Sequence, residues 1–135
     1  MRLFPAAFVL AACTLLAATA AHGHSATSAK AAGTGAASYY DHWQSPTGRI
    51  RCDYRDQVGV GCVQLDRGWG MFLHSFAGAT YGYPFAIPGP GRTLYYGQTW
   101  RASTFRCLSQ SIGMKCWSTL TRHGFFISRE TRYRS

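Results

Sequence analysis

The chain has 135 residues and a formal net charge of +9, from 14 Lys and Arg against 5 Asp and Glu, with 47% hydrophobic and 15% aromatic residues. That length admits one domain, and that hydrophobic and aromatic content excludes a wholly disordered chain. Fifteen Gly and five Pro among eight Tyr and eight Phe point instead to short strands joined by tight turns.

Residues 1–21 read as a secretory signal peptide: a positive charge at Arg2, an apolar run from Leu3 to Leu16, and small residues from Ala17 to Ala21. The small-x-small rule fits a cut before Ala21 and a cut before His22. Leu10-Ala11-Ala12-Cys13 has the outline of a lipobox. The apolar run before Cys13 is short and the chain stays apolar after it, so Cys13 is read as part of the signal and a lipoprotein is not expected. Residues 22–38, rich in Ala, Ser, Thr and Gly, read as a flexible linker. His22 and His24 are nitrogen donors of the kind that suit copper. A tether cannot hold them against a second ligand, so no metal or cofactor is expected. No later stretch approaches the about 20 apolar residues a spanning helix needs, and residues 39–135 are expected to be a soluble β-domain.

With Cys13 in the signal, the mature chain keeps Cys52, Cys62, Cys107 and Cys116. Four is a disulfide number in an exported protein, and spacings of nine or ten positions do not suit structural zinc. One phrase occurs twice. Ile50-Arg51-Cys52 leads to Val58-Gly59-Val60-Gly61-Cys62, and Phe105-Arg106-Cys107 leads to Ile112-Gly113-Met114-Lys115-Cys116. Each phrase reads as a β-hairpin. In the first, alternation places Ile50, Cys52, Tyr54, Val58 and Val60 inward and Arg49, Arg51 and Arg55 outward. An odd turn, or a bulge at Gly59, is needed before Cys52 faces Cys62.

Trp69 to His74 is the next strand candidate. Pro84, Pro88, Gly89, Pro90 and Gly91 then exclude a central strand. Strand candidates follow at Arg92–Tyr96 and Thr99–Ala102, around a turn at Gly97-Gln98. In the second hairpin an even turn at Ser111-Ile112 sets Cys107 opposite Cys116. It places Phe105, Cys107, Ile112, Met114 and Cys116 inward, with Arg106, Lys115 and Trp117 outward. A final strand is expected over Phe125–Arg129. The sum is an all-β fold, a small antiparallel barrel or sandwich of about seven short strands with two disulfide-stapled hairpins.

Tyr96-Gly97-Gln98-Thr99-Trp100-Arg101, Gly113-Met114-Lys115-Cys116 and His123-Gly124-Phe125-Phe126-Ile127-Ser128-Arg129 resemble the closing half of an uncharacterised family of small secreted bacterial proteins. Ser45-Pro46-Thr47-Gly48-Arg49-Ile50-Arg51-Cys52 resembles its opening motif, and Gly68-Trp69-Gly70 echoes its central one. The resemblance spans Gln44 to about Tyr133. It implies secretion, disulfides and a small β architecture, and it lends no activity. Members carry further cysteines around the Trp-Gly motif, where this chain has none.

Asp66, His74 and His123 are the side chains that acid/base chemistry would recruit, with Ser128 near His123 in sequence. Nothing in their spacing sets a nucleophile, base and carboxylate in register, so a small hydrolase is the weakest reading and a non-catalytic domain is expected. Twelve of the fourteen cations are Arg, whose planar fork pairs with phosphate and carboxylate. The expected binding residues are Arg49, Arg51, Arg55, Arg106, Lys115 and Trp117, cations beside an exposed aromatic, which suit an anionic polymer of the cell envelope. An exported protein is not expected to meet genomic nucleic acid. The plain alternative makes these arginines ordinary solvated charges. A further alternative is an enzyme inhibitor, whose plug would be Tyr81–Gly91 with Tyr83, Pro84, Phe85 and Pro88.

Overall fold

The computed structural model describes residues 39–135; the signal peptide, the linker, the Cys13 lipobox and the His22/His24 pair lie outside the described residues. Eleven strands follow in chain order: β1 (Tyr40–Gln44), β2 (Ile50–Arg55), β3 (Gly59–Gln64), β4 (Trp69–His74), β5 (Ala79–Tyr81), β6 (Arg92–Thr93), β7 (Thr99–Ala102), β8 (Phe105–Gln110), β9 (Gly113–Ser118), β10 (Gly124–Ile127) and β11 (Arg132–Arg134). No helix occurs among the described residues. The strands form a six-stranded sheet, β5-β4-β3-β2-β1-β6, and a five-stranded sheet, β11-β10-β9-β8-β7. Every pairing is antiparallel except that of β1 with β6.

The strand count exceeds the expected seven or so because β1, β5 and β11 join the segments named from sequence; β5 and β11, at three residues each, are too short for alternation to register. The strand expected over Arg92–Tyr96 shrinks to two residues. The amide of Tyr95 donates to Gln98 Oε1 and that of Gln98 to the Tyr95 carbonyl, so the turn begins two residues early.

Both stapled hairpins form as their parity demands. Cys52 pairs with Cys62 and Arg55 with Gly59, leaving an odd turn of Asp56, Gln57 and Val58 in which Gln57 takes a φ of 62°. Cys107 pairs with Cys116 and Gln110 with Gly113 around Ser111-Ile112. Val58 and Ile112, expected inside, are 43% and 67% exposed. Each sits in its turn, where the period-two alternation that would bury it no longer applies.

Each sheet holds a five-strand meander built on one hairpin, β1 to β5 and β7 to β11. Trp43 lies opposite Cys52 on the first, and Trp100 opposite Cys107 on the second. The two indoles stack across the core with centroids 4.0 Å apart, and the two bridges approach each other, Cys62 Sγ to Cys116 Sγ 3.9 Å. Tyr54, Phe105, Met71, Leu73, Phe125, Met114 and Ile127 complete this single buried cluster. Loops of about ten residues imply roughly 2.7 kcal/mol per bridge in the chain-entropy account, so the staples reinforce a core that already exists.

Residues 82–91 cross the outer face of the six-stranded sheet from its β5 edge to its β6 edge. Gly61 and Gly70 leave a notch for the Tyr83 ring: a Cβ on Gly61 would stand 2.8 Å from it, and one on Gly70 2.6 Å from Tyr83 Cβ. Phe85 packs edge-on against Phe72 and Tyr83. The segment is thus a packed crossover over a sheet face.

Candidate functional site

The six expected binding residues divide between opposite sides of the molecule. Cys52 and Cys107 face the shared core, so their outward neighbours point away from each other. On the six-stranded sheet, Arg51 donates to the Pro88 carbonyl of the crossover (3.3 Å). Arg55 pairs with Asp53 (3.1 Å) and lies 3.9 Å over the Phe85 ring. Arg49, at one end of the sandwich, pairs with Asp66. Hydrogen bonds from Gln64 and Arg49 outweigh burial, and the Asp66 carboxyl is held below the usual carboxylate range. These three arginines serve the structure of their own sheet.

The outer face of the five-stranded sheet is different. Arg101 on β7 pairs in register with Arg106 on β8, and Arg106 with Trp117 on β9. One row across three strands, spaced about 4.8 Å apart, therefore reads cation, cation, indole. Lys115 lies two positions along β9 from Trp117, and Arg122 from the β9–β10 turn lines the same concavity as Lys115, Trp117 and Leu108. Strands β7 to β11 contain no Asp or Glu. The ion pairs among the described residues, Arg49–Asp66, Arg55–Asp53 and Arg92–Asp41, include none of these cations. Arg106 is anchored by its own bonds to the Ser103 and Phe105 carbonyls.

The two meanders explain why one face is open. Aligning Cys62 with Cys116 sets Gly61, where Tyr83 inserts, against Lys115. On one sheet the position is a notch filled by the crossover; on the other it carries an exposed ammonium.

Beside this face, on the flank where β11 meets β4 and β5, guanidinium groups and rings alternate. Arg67 lies 5.7 Å from the Trp69 ring centroid and Arg132 5.1 Å from it, while Arg132 and Arg134 lie 5.3 and 5.2 Å from that of Tyr81. Trp69 Nε1 donates to the Ser128 carbonyl and Arg132 to that of Gly70. This ladder is not visible in the sequence, because its two aromatic rungs come from β4 and β5, far from Arg132 and Arg134 in the chain.

The acid/base candidates do not meet. Asp66 and His74 flank opposite ends of β4, and His74 faces Thr80 (3.3 Å). The His123 ring lies near Gly78 instead. Ser128 is buried as a turn brace, donating to the Thr131 carbonyl and accepting from the amides of Glu130 and Thr131. Among the described residues no three His, Cys, Asp or Glu gather in a way that could hold a metal.

Comparisons with family models, with curated proteins and with solved structures found no match. The site's chemistry is therefore argued from its geometry.

Proposed function

We propose that this domain is a secreted binding module that holds anionic polymers of the cell envelope on the outer face of its five-stranded sheet. The observation that carries the reading is the row Arg101, Arg106, Trp117 with Lys115 and Arg122 beside it, on strands that hold no Asp or Glu. Arg106, already held by two carbonyls, loses little freedom on binding, and the partly buried Trp117 indole adds a stacking surface for a ring of the polymer. Two formed disulfides fit an oxidising compartment, and no helix among the described residues is long and apolar enough to cross a membrane.

The inhibitor reading has less support, since the crossover turns Tyr83, Phe85 and Pro88 onto its own sheet and leaves Pro84, Ala86, Ile87 and Pro90 as its exposed side chains. Polyanion binding is tested by titrating the exported protein with dextran sulfate and with alginate at rising sodium chloride. Affinity is expected to fall steeply as salt rises, because bound counterions are released on association. Binding that is absent at low salt, or insensitive to salt, would overturn the reading.

A further inference from the structure

A cavity of about 290 Å³ opens at one end of the sandwich, between the β1–β2, β8–β9 and β10–β11 turns. We propose that it binds a neutral saccharide unit, a role independent of the polyanion face. Its volume lies near the lower end for small-molecule pockets and has room for about one or two pyranose rings.

Chemistry favours a sugar over an ion. Arg49 at the rim is paired with Asp66, and Arg129 is followed by Glu130, so the formal charges of these four groups cancel and the cleft presents directional donors and acceptors. The side chains of Gln110, Ser111, Arg129 and Glu130 make no hydrogen bond to protein among the described residues. Gln64, by contrast, spends its amide internally on Asp66 and on the amide of Arg67. Free planar amide, carboxylate and guanidinium groups are suited to pairs of adjacent hydroxyls. Tyr96, 49% exposed, and Ile112 supply the apolar surface that the C–H face of a pyranose needs.

An internal control comes from the duplicated meander. The matching turns at the other end of the sandwich, β2–β3, β4–β5 and β7–β8, enclose about 110 Å³, and Phe76, Phe105 and Leu120 are among the residues around it. The same architecture can thus be narrowed with hydrocarbon. At the Gln110 end it is kept wide and polar.

The test is a two-dimensional amide NMR titration of the full exported chain with maltotriose and with chitotriose as neutral probes. At least one probe is expected to shift the amides of residues 96, 110–113 and 128–130 saturably, with no change as salt is raised. Tyr96→Ala, at an exposed position, is expected to weaken binding by about tenfold, the loss of one stacked ring, while Lys115→Glu leaves it unchanged. No saturable shift with either probe would overturn the proposal. So would shifts centred on Lys115 and Trp117, or binding that survives both Tyr96→Ala and Gln110→Ala. Because the probes carry no charge, failure here leaves the polyanion reading untouched, and the converse holds.

Discussion

Asp41 joins the two sheets. Its Oδ2 accepts from the Trp100 indole of the five-stranded sheet (2.8 Å) and from Arg92 of the six-stranded one (3.0 Å). Replacing it with Ala leaves the Trp100 N–H without its acceptor, and hydrogen bonds to charged groups contribute about 1.5–3 kcal/mol each. Asp41→Ala is accordingly expected to lower stability by about 2 kcal/mol in urea unfolding. Tyr83 behaves in the opposite way. Its hydroxyl is buried and unpartnered, and burial, with the neighbouring Asp53 carboxylate, raises its pKa far above the ordinary tyrosine value. A raised folded-state pKa means that the stability this group contributes is complete below about pH 10 and is lost as pH climbs beyond it. Tyr83→Phe should be neutral at pH 7 to within about 1 kcal/mol and should flatten the alkaline decline. The remaining slope would come from Tyr54 and Tyr40, whose values burial also raises. Urea unfolding of both proteins at pH 7 and above about pH 10 measures this, and an unchanged alkaline slope in the variant would count against it.

At the scale of elements, what could be read from sequence depended on where the constraint lay. The staples were legible because parity between two cysteines in one hairpin is a local property: eight intervening residues admit an even turn, and nine do not. The same rule failed for Val58 and Ile112, where alternation on paper ran on into a turn. The sequence does not mark Trp43 and Trp100 as partners, because they lie nine and seven residues before their cysteines and the repeat drifts out of phase outside the hairpins. The crossover was legible as a non-strand from its prolines, but its seat was not, since Gly61 and Gly70 become a notch only when β3 and β4 pair. Gly61→Ala places a methyl 2.6 Å from the Phe72 ring and 2.8 Å from Tyr83. Overpacking of this kind costs about 1–3 kcal/mol. The variant is expected to lose that much in urea unfolding and to be cut faster by protease within residues 82–91. Removing the second staple by Cys107→Ala with Cys116→Ala should cost about 2–3 kcal/mol by the same readout.

For the whole molecule, the sequence supplied the sign and kind of the surface charge but not its geography. Arg49, Arg51 and Arg55 looked equivalent to Arg106 and Lys115 because both sets point outward from a stapled hairpin. In a two-sheet sandwich, outward on one sheet is opposite to outward on the other, and four of the five carboxylates accompany the first set. The difference between a neutralised face and an open one thus arises from tertiary structure. The candidate site keeps Arg106, Lys115 and Trp117, gains Arg101 and Arg122, and releases the other three arginines to structural work.

The most direct measurement compares two double charge reversals of equal net charge, Arg106→Glu with Lys115→Glu and Arg49→Glu with Arg92→Glu, in salt-dependent binding to dextran sulfate. The face variant is predicted to lose most of the affinity and to lower the log–log salt slope by about two, roughly one per lost cation contact, while the control pair keeps a slope close to that of the parent. Equal losses in both variants would mean that the polymer responds to overall charge alone, and would contradict a site on the five-stranded sheet.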